Sequence, residues 1–177
     1  MGHIRQSFHI DAPIGHVWDM NADVRRMPEW DVNTIEVRDA PERIDQVGAK
    51  YTTVARVMGR RLTGTNVTTK VERPHLLEQK IELPGGGHAE FTLKLVEAGG
   101  GTDESMEFDY KLPGGMFAGV AEKLLAGSIE RDARHSNANF KALCEATVRP
   151  GRGQRLLRGQ GEVGRATGHG HVLRAGL

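Results

Sequence analysis

Four polar side chains fall on strand faces that are otherwise apolar. They are Tyr51, Asn66, Gln79 and Tyr110. A polar group on a buried face needs a hydrogen-bond partner, because leaving it unpaired costs free energy. Two interpretations stay open: the partners belong to the protein, or these side chains orient a carbonyl or hydroxyl group of a bound ligand.

The chain shows no spacing typical of a metal site or an activated nucleophile. No histidine is paired with a cysteine or carboxylate at ligand spacing, and His169-Gly170-His171 stands alone in a glycine-rich segment. No serine lies in a Gly-x-Ser-x-Gly motif, and Cys144 falls on an apolar helical stripe. We therefore assign no metal, no cofactor and no catalytic residue.

One segment matches a nucleotide-binding motif by its letters alone. Gly159 to Gly164 reads Gly-Gln-Gly-Glu-Val-Gly, the glycine pattern of dinucleotide-binding loops. That loop works only between a buried strand and a helix, where the glycines let the backbone approach a pyrophosphate. Neither element is predicted beside this segment, so it indicates no nucleotide.

Hydrophobic periodicity predicts the elements that position the polar side chains. A period of two predicts strands at residues 3–10, 34–38, 50–58, 61–72, 77–83, 90–95 and 105–110. A period of 3.6 predicts a long helix over 116–146, and two short helices are expected after Pro13 and at 21–30. The facing of strand 61–72 stays open, because Asn66 points inward only if Leu62 and Gly64 do.

This order of elements predicts an α+β fold. Short turns rich in glycine and proline separate the strands, which is typical of an antiparallel meander with one buried face. We expect a curved antiparallel sheet of about seven strands around the long C-terminal helix, with the two short helices after the first strand. One helix cannot fill the concave face of such a sheet, so a cavity is expected between them.

The opening of the chain resembles a known superfamily. Phe8-His9-Ile10-Asp11-Ala12-Pro13, followed by Val17-Trp18, Asp23 and Met27-Pro28-Glu29-Trp30, is similar to the start of SRPBCC proteins. That group includes START-related lipid-transfer domains, polyketide cyclase/dehydrases, coenzyme-Q-binding proteins and the birch-pollen allergen family. The resemblance covers residues 3–147 and implies the helix-grip fold. Its members range from carriers to aromatases, so it does not decide the activity.

The expected ligand-binding residues come from the inward faces of the strands and the long helix. Trp30, at the end of the second short helix, is expected near the mouth of the cavity. The full set is Trp30, Tyr51, Asn66, Gln79, Phe91, Leu93, Met106, Phe108, Tyr110, Met116, Phe117, Val120 and Leu124. Asp, Glu, His and Arg are scarce on the expected inward faces, which counts against acid–base catalysis.

Composition divides the chain into a ligand-binding domain at 1–148 and a flexible basic tail at 149–177. The tail holds eight glycines, six arginines and one glutamate, a net charge of +5, whereas the domain has 18 basic and 22 acidic residues, a net charge of −4. A mildly acidic domain gives no electrostatic support for specific nucleic-acid binding.

The same composition bears on the compartment. There is no apolar run long enough for a membrane helix, no secretory signal pattern, and a single cysteine, which excludes an internal disulfide. A cytoplasmic protein is expected.

Three functions remain open. The first is a carrier or sensor that binds a small hydrophobic or aromatic molecule in the cavity. The second is an enzyme of the polyketide cyclase/aromatase type, in which the four polar side chains would assist enolisation and dehydration of a poly-β-ketone chain. The third is an interaction protein whose basic tail binds anions weakly. The identity of the ligand and the oligomeric state do not follow from the sequence.

Overall fold

A computed structural model of the protein describes residues 1–112 and 122–148. Its strands are β1 (Gly2–Ile10), β2 (Thr34–Arg38), β3 (Lys50–Val57), β4 (Arg60–Glu72), β5 (Leu76–Leu83), β6 (Gly87–Ala98) and β7 (Gly101–Lys111). Its α-helices are α1 (Ile14–Ala22) and α2 (Glu122–Thr147), and two short 3-10 helices span Val24–Glu29 and Pro84–Gly86. The tail at 149–177 lies outside the described residues.

All seven strands form one antiparallel sheet in the order β1-β7-β6-β5-β4-β3-β2. The first strand pairs with the last, so β1 and β2 are the two edges. The β3–β4 hairpin turns at Met58 and Gly59, whose φ angles are 48° and 79°. Two positive φ angles are the signature of a type I′ turn, which suits the twist of the strands it joins. The sequence predicted this turn one residue later.

The sheet curls, and its concave face is the buried one. Register shifts occur between Thr34 and Glu36 on β2 and between Thr68 and Lys70 on β4. Such bulges bend a strand and increase its twist. On β4, Leu62, Gly64, Asn66 and Thr68 are all buried, which decides the open question of facing. Asn66 therefore points inward.

Helix α2 packs against β1 and α1, and this arrangement confirms the predicted helix-grip fold. The core gathers the apolar faces of α1, the inner strands and the end of α2, including Ile10, Trp18, Leu93, Leu95 and Phe140. The start of the predicted helix, 116–121, lies outside the described residues. The second short helix is a 3-10 helix, with Pro28 inside it. Within the described residues, neither α-helix has the length and hydropathy needed to span a membrane.

Candidate functional site

A cavity of about 310 Å³ lies between the concave face of the sheet and α2. Strands β1 and β3–β7 contribute most of its wall, and Ile129 and Ala133 contribute the helical side. Apolar side chains such as Leu62, Ile81 and Phe91 make up most of the lining. A concave, mostly apolar space with a few fixed polar groups is the usual form of a small-molecule site.

A chain of hydrogen bonds runs along the β3–β5 side of this wall. The Tyr51 hydroxyl donates to Gln79 Oε1 at 3.1 Å, and Gln79 Nε2 donates to Thr68 Oγ1 at 3.2 Å. Thr68 Oγ1 in turn donates to the Ile44 carbonyl at 2.9 Å. Burial raises the pKa of Tyr51 to about 12, although its hydrogen bond to Gln79 lowers that pKa in part. The phenol is therefore neutral at ordinary pH.

Asn66 lies beside this chain, directly opposite Tyr51 in the β3–β4 pairing. Its side-chain nitrogen contacts three acceptors: Thr53 Oγ1 at 3.0 Å, the Gly64 carbonyl at 3.3 Å and the Tyr51 carbonyl at 3.4 Å. A Cβ at Gly64 would lie 3.0 Å from Ile81 and 3.1 Å from Leu83, so a side chain fits there only if these two neighbours shift slightly. The amide of Asn66 is thus held firmly in the wall.

Trp30 and the α2 side close the cavity opposite the sheet. The Trp30 ring meets Phe140 edge to face, with centroids 4.9 Å apart and planes at 66°. Asn139 Nδ2 donates to the Trp30 carbonyl at 3.1 Å, which ties this segment to the helix. Among the described residues, Trp30 Nε1 is the one buried side-chain polar atom without a hydrogen-bond partner.

Two further polar contacts join α2 to the rest of the rim. Asp31 accepts hydrogen bonds from Ser136 Oγ at 2.7 Å, from the Asn33 backbone at 3.3 Å and from the Thr34 hydroxyl. Gln6 and Asn137 are linked by their amides. Gln6 Nε2 also donates to the Glu130 carbonyl at 3.2 Å, so β1 is bonded to α2 at the cavity edge.

A buried carboxyl group lies just outside the lining. Glu104 on β7 is 1% exposed and accepts a hydrogen bond at 3.1 Å from Asn21, which does line the cavity. Burial raises the pKa of Glu104 to about 8, and the Asn21 hydrogen bond offsets only part of that rise. Glu104 is therefore mostly protonated at neutral pH.

Comparison with known proteins places this geometry in a family. Residues 1–145 match the family described as "Polyketide cyclase / dehydrase and lipid transport". The chain belongs to this family. The SRPBCC resemblance of the opening segment is thereby confirmed, over nearly the same span. No curated protein matches the sequence.

Several solved structures share the fold of this protein. A conserved protein from Geobacillus kaustophilus aligns with a TM-score of 0.68 and 14% identity, covering 82% of this chain and 96% of its own. A Thermus thermophilus protein has a TM-score of 0.66 and 18% identity over 81% and 97% of the two chains. A Chromobacterium violaceum protein has a TM-score of 0.63 and 15% identity over 82% and 99%. At such identities the similarity shows the fold alone.

Most of the expected site residues that the structure describes line the cavity. These are Trp30, Tyr51, Asn66, Gln79, Phe91, Met106, Phe108 and Tyr110. The phenol ring of Tyr110 stacks on Phe108 with centroids 5.6 Å apart. Met116, Phe117 and Val120 lie outside the described residues.

Two expected residues are placed elsewhere. Leu93 is 1% exposed in the core cluster beneath α1 and does not reach the cavity. Leu124 is 63% exposed and also lies outside the lining. At about 100° per residue, it is about 140° around the helix from Ile129, which faces the cavity. The apolar stripe predicted from the sequence was broad enough to include both residues, so it did not show that they lie on different faces of the helix.

Two acidic side chains lie at or beside the cavity that the sequence did not place there. Asp31 lines the cavity and Glu104 is buried beside it. The inward position of Glu104 could have been predicted from the sequence, because Glu104 alternates onto the same face of β7 as Met106, Phe108 and Tyr110. Asp31 lies in a loop, so no periodicity could place it.

The amides of Asn21, Gln6 and Asn137 were also missed. Gln6 interrupts the apolar face of β1, and Asn137 lies four and eight residues beyond Ala133 and Ile129 on α2. Both positions could therefore have been predicted to face inward from the period of the strand and of the helix. Within the described ranges, no group of three His, Cys, Asp or Glu residues is arranged to hold a metal ion.

Proposed function

We propose that the protein binds a small hydrophobic or aromatic molecule in the cavity, as a carrier or a sensor. The observation that carries this is the apolar cavity of about 310 Å³ between the sheet and α2. The membership of a family described by cyclase/dehydrase activity and lipid transport supports it. The volume is at the lower end of the range typical of ligand pockets, about 300–1,000 Å³, which favours one compact ligand.

The energetics agree with this proposal. A ligand that buries about 200 Å² of apolar surface gains about 5 kcal/mol at about 25 cal/mol per Å². A gain of about 5 kcal/mol corresponds to a dissociation constant of about 0.2 mM, and immobilising the ligand weakens that further, so millimolar affinity is the scale expected from this area. Met27 and Met106 add flexible side chains to the lining, which suits ligands of somewhat different shape.

An enzyme of the polyketide cyclase/aromatase type is the second candidate, favoured by the family description and by a carboxylate in the lining. The polar groups on the wall fit that role less well. Both oxygens of Asp31 already accept hydrogen bonds, and the hydroxyl hydrogen of Tyr51 is held by Gln79. A general base needs a lone pair directed at the proton it removes, and three hydrogen bonds, two at Oδ1 and one at Oδ2, already occupy most of the lone-pair sites of Asp31. These contacts favour binding over chemistry.

Tryptophan fluorescence tests the proposal. Trp30 lines the cavity, whereas Trp18 is 1% exposed in the core and donates to Asp45. Titration with a medium-chain fatty acid, a naphthoquinone and an aromatic polyketide should give a saturable change in emission for at least one of them. The change should disappear in Trp30→Phe and persist in Trp18→Phe, provided both variants remain folded by circular dichroism.

The same experiment separates the alternatives. Conversion of a polyketide to a new product, followed by mass spectrometry, would establish the enzyme instead of the carrier. The absence of a saturable response to every probe, by fluorescence and by calorimetry, would contradict ligand binding altogether.

A further inference from the structure

The hydrogen-bond directions in the cavity wall are determined by backbone carbonyls. A backbone carbonyl can only accept, so the side-chain amide atom beside it must be the nitrogen. Asn66 is flanked by the carbonyls of Tyr51 and Gly64 and by Thr53 Oγ1. Its two amide hydrogens therefore have three acceptors within the wall. What Asn66 has left for a ligand is its oxygen, Oδ1.

The same reasoning sets the direction of the Tyr51 chain. The Ile44 carbonyl can only accept, so the Thr68 hydroxyl uses its hydrogen there. Thr68 Oγ1 must then accept from Gln79 Nε2, which leaves Gln79 Oε1 to accept the hydroxyl hydrogen of Tyr51. The Tyr51 oxygen consequently offers a ligand its lone pairs and no hydrogen.

Asn21, on α1, shows this pattern a third time. Its Nδ2 donates to the Val17 carbonyl and to Glu104 Oε2, both at 3.1 Å. The carbonyl again identifies the nitrogen, and the two contacts use both amide hydrogens. Asn21 Oδ1 remains as an acceptor in the lining.

We propose that the cavity selects ligands with a hydrogen-bond donor, and that its preferred class is a hydroxylated aromatic molecule such as a phenol. The donor would lie against the acceptors of Tyr51 and Asn66, which are cross-strand neighbours. The apolar body would lie against Phe91 and Phe108. A ligand whose polar atoms only accept meets lone pairs at these positions and loses the hydrogen bonds it makes in water. This inference rests on the proposed ligand-binding function.

Some groups of the wall can donate to an acceptor instead, and the test must weigh them. Thr53 Oγ1 accepts from Asn66 but keeps its own hydrogen, which suits a hydroxyl group that both donates and accepts. Trp30 Nε1 has no partner, but it is buried against protein atoms, so a ligand oxygen reaches it only if the ring moves. Gln79 Nε2 gives one hydrogen to Thr68 Oγ1 and has a second one beside the cavity. None of these groups removes the three acceptors.

A matched set of ligands tests the preference in the wild-type protein. Isothermal titration calorimetry at pH 7 would compare 2-naphthol, 2-methoxynaphthalene, 2-acetylnaphthalene and naphthalene. The methyl ether and the ketone keep an acceptor but have no donor. We expect 2-naphthol to bind about tenfold more tightly than either, the factor that one good hydrogen bond supplies.

Two variants locate the effect. Tyr51→Phe removes one acceptor and should reduce the naphthol preference to about threefold or less, with a wild-type circular dichroism spectrum as evidence of an intact fold. Thr63→Val is the control for loss of a hydroxyl group, because Thr63 is exposed on β4 and does not line the cavity. The control should retain the full preference. If Tyr51→Phe does not fold, the comparison of the four compounds in the wild-type protein still decides whether the cavity prefers a donor.

The outcomes separate this inference from the proposed function. Equal or tighter binding of 2-methoxynaphthalene or 2-acetylnaphthalene overturns the donor preference and leaves hydrophobic ligand binding intact. Failure of all four compounds to bind, together with no response to the probes named above, overturns both.

Discussion

Glu104 is the carboxyl group whose environment departs furthest from water. It lies on the inward face of β7, is 1% exposed, and accepts a hydrogen bond from Asn21 Nδ2 at 3.1 Å. Burial disfavours the charged form, which is why the pKa of Glu104 rises to about 8. The side chain thus acts as a neutral group that holds Asn21 in place beside the cavity.

This burial makes folding stability depend on pH. In the folded protein Glu104 keeps its proton up to about pH 8, whereas the unfolded chain releases it near the ordinary value of 4.5. The folded state therefore binds more protons in this window, and stability falls as pH rises from about 5 to 8. Glu104→Gln keeps the shape and removes the titration. We expect the variant to lose much less stability over that range, by on the order of a few kcal/mol.

Urea denaturation at pH 5, 6, 7 and 8 measures this difference. The matched control is Glu97→Gln, the same substitution at an exposed position on β6. The pKa of His9 is raised chiefly by its hydrogen bond to Asp103, so its contribution to folding stability also falls as pH rises. His9 is present in all three proteins, so its effect is the same in each pH profile. Parallel pH profiles for wild type and Glu104→Gln would show that Glu104 is charged in the folded state.

At the scale of elements, the loop between β2 and β3 is fastened to α1 by one buried carboxylate. Asp45 accepts a hydrogen bond from Trp18 Nε1 at 2.9 Å and from Arg43 at 2.8 and 2.9 Å, and its side chain is 4% exposed. The hydrogen bond from Arg43 is the largest cause that lowers the pKa of Asp45, to about 2. This contact holds the loop over the end of the core that contains Trp18.

Asp45→Asn should destabilise the protein by on the order of 2 kcal/mol at pH 7, because Arg43 loses its buried counter-charge. The folded pKa of Asp45 lies below its unfolded value of 3.8, so its contribution is present above about pH 4 and is lost as pH falls toward 2. Thermal melts at pH 7 and at pH 2.5 should therefore show a difference that shrinks in acid.

Asp19→Asn provides the comparison for that experiment. Asp19 also bonds Arg43 and Arg73, but its side chain is 53% exposed, so solvent screens the pair. We expect a loss below about 1 kcal/mol. A loss as large as that of Asp45→Asn would mean that the exposed ion pairs, and not the buried carboxylate, hold the loop.

At the scale of the whole molecule, the family match at 1–145 and the described fold end together near the C-terminus of α2. The remaining segment, 149–177, is basic and rich in glycine and has few apolar residues. Ordering a residue costs about 1–2 kcal/mol, which such a segment cannot offset by burial. The domain at 1–148 should therefore be independent of it.

Truncation after Val148 tests that independence. We expect the melting temperature to change by less than about 2 °C and the affinity for apolar probes to stay the same. A full-length protein in which the tail residues are replaced by a glycine–serine segment serves as the control for chain length. A fall of about ten degrees on truncation would show that the tail packs on the domain.

Much of the fold and part of the cavity could be predicted from the sequence because period-two and period-3.6 patterns report which face is buried. The alternation at Leu77, Gln79 and Ile81 placed Gln79 inward, and the structure agrees. The predictions were less accurate where hydrophobic periodicity does not show which neighbouring element covers a buried face. On the long helix a wide stripe admitted Leu124, and on β6 alternation placed Leu93 inward without showing that α1 covers it.

The sequence by itself determined the antiparallel meander, the gripping helix and an apolar interior, since these depend on local periodicity and turn chemistry. Only the tertiary structure decided that Asn66 points inward, that Asp31 lies at the cavity, and which atoms of the wall remain for a ligand. Those facts depend on contacts between residues far apart in the chain, such as Gln6 with Asn137 and Asn21 with Glu104. The periodicity of a sequence indicates which face a residue lies on but not which residue it is hydrogen-bonded to. That hydrogen-bond partner determines which polar atoms remain available to a ligand.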